Sequence, residues 1–388
     1  CLPVNNKFTR LHADNAAFAF DLYRQLRSGD GNIFFSPYSI STALAMTYAG
    51  ARGETEAEMA RALHFTLPQN ELHPAFNRLG ISLGELGKDG GGRPLKDFRL
   101  DIANSLWGQR DYKFLPEFLD VLATNYDAGM RLVNFKENSE GARKTINRWV
   151  SEKTQGKIPD LIPDGILNNM TRLVLTNAVY FKASWLHPFE KDATRSGPFT
   201  LPDARTIQVP MMHQTEHFRY VEAEGCQAVE LPYKEGMAMV VLLPKSGTFA
   251  GFEQQLTSAR LETILGQMNS DREVELTLPK FKYDASLSLA KTLAAMGMPT
   301  AFGMAADFSG MDGEKDLFIS AVIHKAMVAV DEAGTEAAAA TAVVMELKSA
   351  PMPTQPVVMK VDRPFIFLIR DTNTGAILFL GRVVNPEG

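Results

Sequence analysis

Residues His324–Pro356 read HKAMVAVDEAGTEAAAATAVVMELKSAPMPTQP, and the middle of this stretch fits two conformations at once. Small side chains dominate from Ala333 to Ala342, and no proline occurs until Pro351. The alanine content alone would suit a helix. Read at period two, however, the segment separates into two sets. Thr335, Ala337, Ala339, Thr341, Val343, Met345 and Leu347 fall on one parity. Glu336, Ala338, Ala340, Ala342, Val344, Glu346 and Lys348 fall on the other, which takes every charge. A strand would therefore bury one face and expose the other, whereas a helix would scatter Glu336, Glu346 and Lys348 around its circumference. The segment is compatible with an exposed loop and with a strand that has one buried face. Its fourteen residues from Thr335 to Lys348 would span roughly 45 Å as a strand.

The rest of the chain is that of one mixed α+β domain, residues 1–388. Hydrophobic residues make up 45% and charged residues 22%, enough for a large core. A net charge of -5 gives no electrostatic reason to expect nucleic acid. The densest basic stretch, Lys88–Arg99, is thinned by Gly and Asp and reads as a solvated loop. No apolar run approaches the ~20 residues of a membrane helix. Two cysteines, Cys1 and Cys226, exclude a disulfide framework, and no metal-binding spacing is present. Cys226 reads as an inert buried thiol. Cys1, with no Met before it, is either a trimming point or the lipidated cysteine of a processed bacterial lipoprotein. With the latter the chain is expected to be extracellular, periplasmic or at the cell surface.

Helical spacing marks Asn15–Leu26, Ser39–Ala49 behind Ser36-Pro37, Ser139–Lys153 and Leu287–Met296. Thr55 and Glu58 are spaced as a capping box for Thr55–Leu63. Strand patterns mark Leu100–Gln109, Leu173–Phe181, Gln227–Pro232, Ala238–Leu243, Glu273–Lys282, Phe365–Arg370 and Ala376–Val384. Gly90-Gly91-Gly92 lacks phosphate-loop spacing and reads as a connection. No GxSxG, HExxH or dinucleotide fingerprint appears, so an enzyme is not expected. His324, between an apolar run and Lys325, reads as a hydrogen-bonded structural histidine.

Seven segments in order resemble the serpins. The quoted run His324–Thr341 is similar to the serpin hinge, and RPFIFLIRDTNTGAILFLGRVVNP (Arg363–Pro386) to the family's C-terminal hairpin. NIFFSPYSISTALAMTYAGARGET (Asn32–Thr55), INRWVSEKTQGKI (Ile146–Ile158), LVLTNAVYFKASW (Leu173–Trp185), and LPY (Leu231–Tyr233) with LPKFK (Leu278–Lys282) complete the likeness. The resemblance implies a single serpin domain with three β-sheets, about nine helices and an exposed reactive-centre loop at about 332–356. It implies a monomeric suicide inhibitor, with no cofactor or metal, that is cleaved and then inserts its loop into the main sheet. A non-inhibitory carrier, chaperone or storage protein of the same fold is the alternative. The family's loop length places the scissile bond at Lys348–Ser349, which suits a trypsin-like serine protease with an acid in its specificity pocket.

Carried over residue by residue, the hinge is Glu332, Gly334, Thr335, Ala337, Ala338, Ala339, Ala340 and Thr341, small and uncharged on its inward parity. Ser36, Ser39, Asn177 and His324 match the "shutter" beneath the sheet. Trp185, Lys280 and Glu332 match the "breach", with a Lys280–Glu332 ion pair expected. Two departures stand out: Ala183 replaces a common glycine, and Ser349–Val361 is a few residues longer than usual. The lack of disulfides fits a prokaryotic member.

Overall fold

The computed structural model describes residues 6–127, 129–223, 225–268, 271–336 and 355–388. Cys1, Ala337–Thr341, Lys348 and Ser349 lie outside the described residues. The strand Leu173–Ser184 (β4) is buried along nearly its whole length. A near-continuous apolar run of that kind needs cover on both faces. Its neighbours form a six-stranded sheet in the order β10 (Phe281–Ser288), β11 (Ile319–Asp331), β12 (Gly334–Thr335), β4, β2 (Phe98–Gln109), β3 (Met130–Val133). One face lies on the helix Pro37–Tyr48, which packs against β2 and β4 and is buried at every position except Thr42. The other face is partly covered by the helix Phe135–Lys153, whose Phe135, Ile146 and Val150 pack with Trp107, Val174 and Ile323.

The remaining strands form one nine-stranded sheet. Its order is β1 (Ile33–Phe35), β15 (Ile377–Val383), β14 (Phe365–Asp371), β8 (Met237–Pro244), β7 (Cys226–Pro232), β6 (Thr206–Ala223), β9 (Asp271–Pro279), β13 (Val357–Lys360), with β5 (Arg195–Thr200) also on β6. Three sheets were expected, and hydrogen bonding joins two of them. The cause is β6, whose first residues pair β5, whose middle pairs β9 and whose end pairs β7. Ten α-helical segments occur among the described residues, against about nine expected; the count includes the four-residue Ser309–Asp312. Among the described residues, no helix is long and apolar enough to cross a membrane.

Local signals were read with uneven success. Ser36 caps the helix Pro37–Tyr48 by accepting from the Ser39 N–H, with Pro37 in its first turn. The capping box at Thr55 is absent. That helix runs Gly53–Ala62 behind Arg52, Thr55 Oγ1 instead accepts from the Asp307 N–H, and Glu58 accepts from Thr300. Tertiary partners have outbid a local motif. Glu273–Lys282 is two strands that part at Lys280, and Leu287 lies in β10 rather than opening a helix, which runs Ala290–Ala295.

Candidate functional site

β11 and β4 are parallel and directly hydrogen-bonded from Ile319–Leu173 to Met327–Tyr180. At one end the chain leaves β11, turns through Glu332–Ala333, and comes back between the same two strands as β12. Thr335 there pairs antiparallel with both Val330 and Ala183, and Gly334 with Asp331 and Ser184. Gly334 and Thr335 thus already occupy the slot between β4 and β11, while below them the slot is closed by direct pairing. Gly334 is required for this approach: at φ +154° a Cβ would lie 2.1 Å from the Ala183 carbonyl oxygen. Ala183, buried and opposite both Phe98 and Thr335, is accommodated in that row. Glu336 then leaves the ladder at φ +46°, a left-handed conformation that costs a non-glycine residue of order 1 kcal/mol. Its N–H still donates to the Ala329 carbonyl, and its carboxylate lies 2.5 Å from Lys157 Nζ.

The turn is anchored by its neighbours. Thr335, 1% exposed, shares a 2.6 Å hydrogen bond with the Tyr233 hydroxyl. Trp185 stacks on Tyr233 with ring centroids 4.4 Å apart, and its indole N–H donates to the Asp331 carbonyl. Glu332 accepts from Lys280 Nζ at 2.9 Å and from Thr194 Oγ1 at 2.8 Å. Burial pushes the Glu332 carboxyl up, but its hydrogen bonds, Lys280's first, outweigh this and hold it below the usual value. The structure therefore brings Trp185, Lys280, Glu332 and Thr335 together, and adds Tyr233 and Thr194, which the sequence did not single out.

A second cluster lies beneath the closed part of the slot. In register, Asn104 on β2 opposes Asn177 on β4, which opposes His324 on β11. The His324 Nδ1–H donates to Asn177 Oδ1, and Asn177 Nδ2 donates to Ser39 Oγ and Asn104 Oδ1. Ser39 Oγ also donates to Asn104 Oδ1. The Ser36 N–H donates to His324 Nε2 at 3.3 Å, which fixes the tautomer as Nδ1–H. Every one of these side chains finds a partner, as a buried network requires. Asn104 was missed, although a polar residue inside an apolar strand pattern is the signal that could have found it. The His324–Asn177 bond bridges the slot, so a strand entering there must break it.

Burial lowers His324 to about 3, so the folded protein holds it neutral while the unfolded chain protonates near 6.5. The resulting stability is complete above pH 6.5 and is lost as pH falls towards 3. At pH 4.5 the loss is about 2–3 kcal/mol. His73, lowered to about 4 by burial, adds a similar dependence. Comparing urea unfolding at pH 7.5 and 4.5 in wild type and His324→Gln isolates the first effect, because His73 is common to both. The variant is expected to lose about 2–3 kcal/mol less than wild type; the same loss in both would disprove the assignment.

The family model described as Serpin (serine protease inhibitor) matches residues 13–386. An uncharacterized serpin-like protein of Thermococcus kodakarensis is 44% identical over 372 residues, covering 96% of this chain and 84% of that protein. The leukocyte elastase inhibitor of Homo sapiens is 41% identical over 389 residues, covering 97% of this chain and 100% of that protein. The crystal structure of human thyroxine-binding globulin complexed with thyroxine superposes with a TM-score of 0.86 at 35% identity, covering 98% of this chain and 100% of that one. A family match over nearly the whole sequence, together with a sheet that holds Gly334–Thr335 between two directly paired strands, has one reading: the chain belongs to the serpin family.

Proposed function

We propose that the chain is a covalent-trapping inhibitor of trypsin-like serine proteases, cleaved at Lys348–Ser349. The observation that carries this reading is the placement of Gly334–Thr335 between β4 and β11, with the small, uncharged Ala337, Ala339 and Thr341 next on the same parity as Thr335. In the proposed reaction the protease serine Oγ adds to the Lys348 carbonyl carbon and gives its proton to the protease histidine. The Lys348–Ser349 bond breaks, the proton passes to the departing Ser349 amine, and the Lys348 acyl group remains on the protease. Insertion of the freed loop beyond Thr335 would then carry the acyl-enzyme away before water reaches the ester. The Lys348 ammonium supports a protease with an acidic specificity pocket. The alternative, a carrier of the same fold, is favoured by the likeness to thyroxine-binding globulin.

Titration with trypsin, followed by a denaturing gel and intact mass, separates the two. The expected result is an SDS-resistant band of summed mass together with a released peptide beginning at Ser349. Cleavage without a complex would reject inhibition in favour of the carrier reading, and a peptide beginning elsewhere would move the reactive bond.

A further inference from the structure

Beside the hinge, cations from separate stretches of the chain face one another across a cleft of about 1020 Å³. Its walls carry Lys96, Arg99, Lys157, Lys182, Lys280 and Lys282. Three carboxylates share them: Asp331, Glu336 and Glu387. Glu336 is engaged by Lys157, and Asp331 accepts from the backbone N–H groups of Ala333 and Gly334. Among the described residues, Lys96, Lys182 and Lys282 have no carboxylate partner. A row of residues crosses the sheet here, from Lys282 opposite Ala329, through Glu336, to Lys182 opposite Arg99.

Two features set this cleft apart from an ordinary solvated face. Arg99 and Lys182 are directly opposed on adjacent antiparallel strands, and like charges so placed destabilise a sheet. The Arg99 guanidinium also retains a buried Nε with no hydrogen-bond acceptor, although its Nη2 pairs with Asp101. A bound anion would relieve the repulsion and draw on the unused donor. Tyr180 gathers two of the cations, with Arg99 and Lys157 lying 4.9 and 5.1 Å from its ring centroid.

The spacing selects the ligand. From Lys282 on β10 to Arg99 on β2 the row crosses four strand spacings of ~4.8 Å, so a single phosphate meets one bank and a chain of phosphates meets both. Guanidinium and ammonium groups are both well suited to phosphoryl oxygens. We propose that this cleft is a binding site for a compact oligophosphate, held by Arg99, Lys157, Lys182 and Lys282, which draws Lys157 away from Glu336 at the hinge. Because the ligand and Glu336 compete for one ammonium group, removing the Glu336 carboxylate must strengthen binding.

Isothermal titration of the intact chain with inorganic tripolyphosphate tests this independently of any protease. Wild type is expected to bind one equivalent, at least about tenfold more tightly than monophosphate. Lys182→Ala/Lys282→Ala should weaken binding about tenfold or more, and Glu336→Gln should tighten it about threefold. Lys96→Ala/Lys282→Ala, confined to exposed positions, gives a second reading of the same loss should the first pair perturb the sheet. Absence of binding, equal affinity for the two phosphates, or unchanged affinity in both double variants would overturn the site. Weaker binding by Glu336→Gln would overturn its link to the hinge.

Discussion

Thr335→Arg is expected to turn the proposed inhibitor of trypsin into a substrate, raising the number of molecules consumed per protease at least about tenfold. The residue is 1% exposed, bonded to the Tyr233 hydroxyl and set between Ala183 and Val330. An arginine there would bury a guanidinium beside Tyr233 and Trp185, at several kcal/mol. In the proposed mechanism insertion competes with hydrolysis of the acyl-enzyme, and each 1.4 kcal/mol added to the insertion barrier would alter that partition about tenfold. Cleavage itself should proceed at the wild-type rate, because the proposed bond lies thirteen residues further along the chain. Thr335→Val is the control: it leaves the Tyr233 hydroxyl unpartnered, about 1–3 kcal/mol, but introduces no charge and should still trap. Unchanged stoichiometry in Thr335→Arg, measured by residual trypsin activity and denaturing gel, would rule out insertion through this slot.

The proposed hinge rests on a sequence pattern alone beyond Glu336. A segment soluble outside a sheet and half-buried within it would have to place its charges on one parity, and Thr335 to Lys348 does so. The polar residues beneath the sheet were legible only through family likeness, since nothing in the spacing of Ser36, Asn177 and His324 says they meet. Asn104 escaped because its role comes from register: it is opposite Asn177 only once β2 and β4 are paired. The same applies to Tyr233, which follows β7 directly and yet hydrogen-bonds Thr335. Local motifs failed where distant partners were stronger. Thr55 and Glu58 had the spacing of a capping box, but Asp307 and Thr300 took their hydrogen bonds. The break at Lys280 did leave a sequence signal: the alternation of Val274, Leu276 and Leu278 changes phase after Pro279, so that Phe281 is apolar and Lys280 turns to reach Glu332. The cationic row at the cleft could not be seen from charge runs, because its members are contributed one or two at a time by separate strands.

Cleavage of the loop is expected to raise the melting temperature by about 6–11 °C, and the register of β12 indicates where the stability would come from. Thr335 is opposite Ala183 on β4 and Val330 on β11. Continuing that ladder six residues puts Thr341 opposite Asn177 and His324, so its hydroxyl would stand where their mutual hydrogen bond is broken. Two residues later, Val343 would face Leu175 and Val322, both buried. Inward burial of Val343, Met345 and Leu347 would contribute roughly 5–9 kcal/mol. The new ladder hydrogen bonds would largely offset the entropy of ordering the strand. For 388 residues, an unfolding entropy of about 2.1 cal/mol/K per residue gives ~0.8 kcal/mol/K, and ~8 kcal/mol then corresponds to ~10 °C. Scanning calorimetry of intact and loop-cleaved protein measures this directly. Thr341→Arg should abolish most of the rise, because the guanidinium would have to enter the buried cluster of His324, Asn177 and Ser39. Coincident melting curves for intact and cleaved wild type would mean that the slot between β4 and β11 stays closed after cleavage, and the hinge would then end at Thr335.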